Sequence, residues 1–347
     1  MVVSDVLAAA DCEQVLLVRD REAAATVLLA VHDTRLGPAH GGIRRLAYES
    51  LEHAARDVVA LAQAMTWKCA LAEVPAGGGK CVVLDGPQLD RGAAYRLVGR
   101  TVAQLGGRYF TGPDVGTTDE DLRIVASETR FVAVAPVGGA AAEDGPGDLA
   151  EATAVGVFAA IGALAQRLQR PLDGLRVAQQ GLGAVGLRLA ARLRAAGVRL
   201  WVSDVMAART AAAVELGATA VAPERILQTP CDVFAPCALG GVLTVAAAAD
   251  LPARGVCGAA NNILADAEAA AVLHRRGILV VPDFVANAGA LIQGATWHLT
   301  GRRVGAERLQ RIATTAGELL DRAGAAGVPP SVLALQVARE RLARGVA

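Results

Sequence analysis

Between Leu175 and Asp204 the chain writes a strand, a glycine turn, a helix and a second strand. Leu175–Gln179 is a short apolar strand. Gly181-Leu182-Gly183-Ala184-Val185-Gly186 follows as the turn, and Leu187–Ala196 has a helical apolar period. Val198–Ser203 is the next strand, with Asp204 at its end. The pattern G-x-G-x-x-G is weak alone. Set between a strand and a helix, with an acid about twenty residues on, it is fairly specific for dinucleotide binding. Gly181 allows the tight turn, Gly183 lets a pyrophosphate approach the backbone, and Gly186 lets the helix pack on the strand. Free N–H groups at the helix start then face the phosphates. Asp204 would accept hydrogen bonds from the adenine ribose hydroxyls and repel a 2′-phosphate, which predicts NAD. Arg209, five residues later, keeps NADP open.

The elements around this unit predict an α/β fold with a parallel, doubly wound sheet. Ala152–Leu168 reads as a helix, and Val233–Ala235, Val256–Ala259 and Ile278–Val281 are short apolar runs, each followed by a turn. The first part of the chain is different. Gln14–Arg19 and Thr26–His32 read as strands, and Gly37–Gly42 as a turn or loop. Ser50 begins a helix, Gly77–Gly79 interrupts the chain, Cys81–Leu84 reads as a buried strand and Arg91–Leu105 as an amphipathic helix. The Gly/Ala-rich stretch Gly138–Gly147 is the linker candidate. Beyond Gly305 two amphipathic helices are broken at Val328-Pro329-Pro330. A chain of 347 residues exceeds one small core. The expected division is 1–140, 148–325 as the Rossmann-type domain, and a C-terminal helix at 326–347 packing back toward the first domain, with a cleft between the two domains.

Composition narrows the partners. Lys+Arg and Asp+Glu are both 34, so the net charge is zero. That balance argues against a nucleic-acid or anionic-membrane partner. No stretch reads as a membrane span. Asp5, Asp11 and Glu13 surround a short apolar run, unlike a secretory signal. Six cysteines lack C-x-x-C pairing or metal-site spacing, which predicts free, mostly buried thiols in a reducing cytoplasm and no metal. Only two of the 34 basic residues are lysines, Lys68 and Lys80, and asparagine occurs only at 261, 262 and 287. Arginine stays protonated in proteins, whereas a lysine amine can lose its proton. Two lysines kept among so many arginines mark candidate sites.

These residues fall inside motifs that resemble the Glu/Leu/Phe/Val dehydrogenase family. Leu36–Arg44, with Gly41 and Gly42, looks like its glycine-rich substrate loop. Met65–Ala70 and Pro75–Lys80 resemble its two lysine motifs, and Thr111–Thr117 its aspartate motif. Thr153–Val157, Ala235–Gly241, Gly258–Asn262 and Pro282–Gly289 complete a likeness running from about Leu16 to Gln293. The resemblance implies a substrate and oligomerisation domain followed by the dinucleotide domain. It also implies reversible NAD(P)-linked oxidative deamination of an L-amino acid to a 2-oxo acid and ammonia, in a homo-oligomer. In the roles it implies, Lys68 holds the substrate carboxylate, Lys80 activates water, and Asp114 exchanges protons with the amino group. Thr153 touches the nicotinamide amide, Cys237 and Ala238 line the cofactor site, and Asn261 and Asn287 position nicotinamide and substrate.

The chemistry agrees with those roles. Hydride leaves Cα only from a neutral amine, so a base must first take the ammonium proton. A buried Asp114 with a raised pKa suits that step, and Lys68 beside Lys80 would lower the pKa of Lys80. Cys69 and Cys81 read as packing residues, Arg44 as staying with its loop, and His298 carries no assigned role. The resemblance places His40, Pro113, Leu291 and Gly294 around the substrate side chain. Gly294 stands where aliphatic-specific members often carry a β-branched residue. The enlarged pocket predicts an aromatic substrate, phenylalanine or tryptophan. The alternatives are an aliphatic, acidic or non-proteinogenic amino acid or, in another class, a non-catalytic NAD-binding regulatory protein.

Overall fold

The computed structural model describes Val6 and residues 11–133 and 145–345. Most of the linker candidate, and Asp5, lie outside the described residues. The chain forms two compact units. The first takes the described residues up to Gly147, with Gly294–Arg303 and those from Ala338 on; the second takes Asp148–Gln293 and Val304–Val337. The expected continuous domain at 148–325 is therefore interrupted. Helix Gly289–Thr300 begins in the second unit and continues in the first.

Six strands build the first unit: β1 (Gln14–Asp20), β2 (Ala25–Asp33), β3 (Ala39–His40), β4 (Ile43–Leu46), β5 (Gly77–Leu84) and β6 (Tyr109–Phe110). Their order is β1-β2-β5-β3-β6, with β4 also pairing β5. β2 pairs antiparallel with β1 on one side and β5 on the other, while β3, β4 and β6 join in parallel. β5 alternates cleanly. Cys81 and Val83 face the core under helix Arg91–Gln104, and Val82 faces the core under helix Leu51–Leu71. Ser50 caps the latter helix, accepting from the His53 amide at 3.1 Å. At its other end Arg341 donates to the Leu71 carbonyl at 2.8 Å, satisfying a terminal acceptor. The Gly37–Gly42 segment is not simply a loop, because Ala39–His40 is paired on both sides as β3.

The second unit holds β7 (Arg176–Gln180), β8 (Arg199–Ser203), β9 (Thr219–Ala220), β10 (Val233–Pro236), β11 (Gly255–Val256) and β12 (Leu279–Val280). Their order is β12-β11-β10-β7-β8-β9, and every pairing is parallel. This is the doubly wound Rossmann arrangement, whose order reverses between β7 and β10. Helix Leu149–Arg167 is long and apolar enough to cross a membrane by length and composition alone. More than half of it is buried within the protein, however, which is the state of a core helix.

Candidate active site

Lys80 stands on β5, its side chain 7% exposed, with Nζ 2.6 Å from Asp114 Oδ2. Asp114 is carried by the segment after β6, where the Ile43 amide donates to the Gly112 carbonyl at 2.9 Å. The same Oδ2 accepts from Arg44 Nε at 3.1 Å, and Arg44 Nη1 reaches Asp57 Oδ2 at 3.1 Å. The Tyr48 hydroxyl donates to that Asp57 oxygen at 2.5 Å. Arg44 thus leaves its loop to bridge two carboxylates, and a continuous polar chain runs from Tyr48 to Lys80. The sequence reading left Arg44 with its loop and missed Asp57 and Tyr48.

The electrostatics differ from expectation in two respects. Burial lowers the Lys80 pKa, Asp114 opposes that shift, and the neighbouring cation that reinforces it is Arg44. Sequence reasoning gave that part to Lys68, which lies half-buried in the last turn of helix Leu51–Leu71. Burial pushes the Asp114 carboxyl up, but Lys80 and Arg44 outweigh it and hold the pKa below its usual value, not above. Asp114 is therefore a carboxylate at neutral pH.

The glycines here serve packing first. A Cβ on Gly41 would stand 1.7 Å from the Gly79 carbonyl oxygen, and one on Gly42 2.3 Å from that of Pro113. A Cβ on Gly78 would strike the Thr66 amide at 2.1 Å, and one on Gly79 the Tyr109 ring at 2.7 Å. The run beside Lys80 is thus glycine because a helix and a buried tyrosine press on β5. The Gly41 carbonyl is itself held by the Tyr109 hydroxyl at 2.6 Å.

Next to this centre His40 is buried and stacks on Phe110, with ring centroids 5.1 Å apart. His298 completes the cluster, 5.5 Å from His40 and 5.3 Å from Phe110. His40 packs on both of these rings. His298, given no role from sequence, is its neighbour. Cys69 and Cys81 are fully buried, and burial pushes both thiols up to about 12, so neither is a nucleophile.

In the second unit the glycine turn lies at the carboxyl end of β7. Gly181 adopts φ +97°, and a Cβ there would meet the Ala238 amide nitrogen at 2.7 Å. Cys237 and Ala238 are thereby placed against the turn, at the switch point of the sheet. A Cβ on Gly186 would strike the Gly181 carbonyl oxygen at 2.2 Å, whereas one on Gly183 would meet nothing within 4 Å. Helix Ala184–Ala195 begins at Gly183 with no side-chain cap, leaving its first amides open. Asp204 accepts from the Leu182 amide at 2.7 Å and the Met206 amide at 2.8 Å, so it braces the turn. Buried Gln179, unnoticed in the sequence, donates to the Gly181 and Gly186 carbonyls at 3.0 and 2.7 Å. Asn287 donates to Asn261 Oδ1 at 2.7 Å, while its own buried Oδ1 has no partner among the described residues. The Thr153 hydroxyl donates back to the Leu149 carbonyl at 2.9 Å and keeps its lone pairs to accept. An open glycine, uncapped amides and an orphaned carboxamide oxygen fit a dinucleotide with a terminal amide. Leu291 and Gly294 are half-buried on helix Gly289–Thr300.

Comparison with known proteins agrees with this geometry. Residues 15–131 match the Glu/Leu/Phe/Val dehydrogenase dimerisation domain, and residues 199–296 match the Glutamate/Leucine/Phenylalanine/Valine dehydrogenase domain. The chain is 37% identical to leucine dehydrogenase of Bacillus cereus, over 96% of this chain and 91% of that protein. It is 42% identical to L-tryptophan dehydrogenase of Nostoc punctiforme, over 81% and 78% of the two chains. The crystal structure of that tryptophan dehydrogenase superposes with a TM-score of 0.86, covering 98% of each chain at 36% identity. A hetero-hexameric glutamate dehydrogenase of Thermus thermophilus covers 99% of this chain and 95% of its own, with TM-score 0.73 at 26% identity. The chain belongs to the Glu/Leu/Phe/Val dehydrogenase family and is an amino-acid dehydrogenase, an oxidoreductase acting on CH–NH2 donors.

Proposed function

We propose that this protein catalyses NAD-dependent, reversible oxidative deamination of a hydrophobic L-amino acid, with a preference for an aromatic side chain. The observation that carries the reading is the buried Lys80–Asp114 pair at 2.6 Å. The bound cofactor supplies the hydride acceptor. Asp114, held as a carboxylate, takes the proton from the substrate ammonium, leaving the neutral amine from which hydride can depart. Lys80, its pKa lowered, removes a proton from the water that adds to the iminium carbon. The proton on Asp114 then returns to the amino group, which leaves as ammonia while the hydroxyl of the adduct gives its proton to the Asp114 carboxylate and the 2-oxo acid forms. Lys68 binds the α-carboxylate, and Gly41, Gly42, Pro113, Leu291 and Gly294 border the substrate. Asn261, Asn287 and Thr153 orient the carboxamide. A spectrophotometric screen of the twenty amino acids with NAD and NADP tests the assignment, and failure with every amino acid rejects it.

The relatives support an oligomer, because the matched first domain is described as a dimerisation domain and the Thermus protein is hetero-hexameric. Our reading is a homo-oligomer, of dimer size or larger, in the cytoplasm. Free thiols at all six cysteines suit the reducing compartment.

Arg44 supplies a pH test. Removing a cation beside Lys80 makes its ammonium easier to keep, so the neutral amine appears only at higher pH. In Arg44→Gln the rising limb of the kcat/KM profile is expected to move to higher pH, and in Arg44→Lys it should move less. An unchanged limb in Arg44→Gln separates Arg44 from the proton chemistry.

NAD preference rests on the Asp204 carboxylate. Asp204→Asn keeps an oxygen for the Leu182 amide but removes the charge that repels a 2′-phosphate. The NADP-to-NAD ratio of kcat/KM is expected to rise about tenfold, the size of a modest specificity shift. A wild-type enzyme that prefers NADP refutes this reading of Asp204.

A further inference from the structure

The ring cluster of His40, Phe110 and His298 lies on the same face of the first sheet as Lys80. His40 pairs in register with Gly78 on β5 and with Phe110 on β6. Lys80 stands two residues beyond Gly78 on the same strand. Side chains two residues apart share a face and are separated by about 7 Å. The cluster is therefore one pleat away from the Lys80–Asp114 pair.

Its polar atoms are unusual for a buried position. His40 Nδ1 lies 2.9 Å from the Pro38 carbonyl oxygen. A carbonyl only accepts, so the proton sits on Nδ1 and the neutral ring presents Nε2 as a bare acceptor. Among the described residues His40 Nε2 is buried without a hydrogen-bond partner, and so are both ring nitrogens of His298. Burial lowers the His40 pKa despite the Pro38 bond, and burial with His40 beside it lowers that of His298 to about 4. Both imidazoles are then neutral at pH 7. Buried acceptors without donors are costly unless a ligand satisfies them. A side-chain carboxylate would confront the His40 lone pair and gain nothing. An aliphatic or phenyl group would leave that lone pair unmet. A planar side chain with its own N–H can stack on the rings and donate to Nε2 together.

We propose that His40, Phe110 and His298 form the recognition surface for the substrate side chain, and that His40 Nε2 accepts a hydrogen bond from the N–H of an indole. The inference rests on Lys80 and Asp114 being the reaction centre. It makes His40 a specificity-determining residue, with Phe110 and His298 as the rings that flank it, and it narrows the substrate class from aromatic to aromatic with a hydrogen-bond donor.

The test compares kcat/KM for L-tryptophan with that for 3-(benzothiophen-3-yl)-L-alanine, in which sulfur replaces the indole N–H at nearly the same shape. The wild-type enzyme is expected to favour tryptophan by about ten- to a hundredfold, the scale for leaving one buried acceptor unmet. His40→Phe keeps a ring in the stack but removes the acceptor, and the ratio should fall to within about twofold of unity, the residue of shape alone. His298→Phe, which leaves the His40 acceptor in place, should retain the preference. A wild-type ratio near one, or a ratio that survives His40→Phe, overturns the proposal. So does a preference lost in His298→Phe but kept in His40→Phe. Because the wild-type ratio needs no variant, misfolding of either substitution leaves the proposal decidable. Oxidation of other amino acids with no preference for tryptophan over its analogue rejects this inference alone. No oxidation of any amino acid rejects the deaminase assignment itself.

Discussion

Replacing Lys80→Arg is expected to lower kcat by at least ~100-fold, the usual scale for loss of an acid–base group. The substitution retains positive charge beside Asp114, so the ion pair can persist. What it removes is a group that can give up its proton, since a guanidinium stays charged in a protein. The amine at Lys80 is buried and its pKa is lowered by that burial, with Arg44 acting in the same direction. Single-turnover measurements separate the water-addition step from hydride transfer, and a melting curve checks that the larger side chain is accommodated. A folded Lys80→Arg enzyme with near wild-type kcat removes Lys80 from the proton chemistry.

Gly41→Ala is expected to destabilise the protein by about 3 kcal/mol or more, or to prevent folding, as overpacking against fixed backbone does. The new Cβ would lie 1.7 Å from the Gly79 carbonyl oxygen, an atom in the middle of β5 that cannot rotate away. Gly183→Ala is the matched control. Its Cβ meets nothing within 4 Å and its φ of −67° suits alanine, so stability should change by less than about 0.5 kcal/mol. The KM for the cofactor is nevertheless expected to rise, because the methyl group would occupy the open space that our reading gives to the pyrophosphate. Denaturant titration of both variants distinguishes the two kinds of glycine. Equal stability of Gly41→Ala and wild type would show that the backbone at Gly41 moves freely.

The dinucleotide-binding unit was legible in the sequence because its information is local. A strand, a glycine turn and a helix lie within thirty residues, each with its own periodicity, and Asp204 arrives at the end of the next strand. The structure keeps that order and adds what pattern does not carry: Gln179 pinning the turn and Asp204 bracing it. The scarcity of lysine and asparagine likewise pointed to Lys68, Lys80 and the asparagine pair without any fold. The first unit was harder. β3 and β6 are two residues each and exist only because β5 and β3 offer them partners, so no periodicity announces them. Arg44 and Asp114 are 70 residues apart, and their pairing is set by the parallel bridge between Ile43 of β4 and Pro113 in the segment after β6. The direction of the Asp114 pKa reversed for the same reason. Burial was foreseeable from an apolar motif, but the second cation that outweighs it comes from a remote strand. His298 meets His40 only because helix Gly289–Thr300 continues into the first unit. Residue types and short-range spacing thus determined the fold class and singled out the candidate reacting groups. The charges and rings surrounding those groups were decided by tertiary structure, because Coulomb and packing forces act on distance in space, which sequence separation does not report.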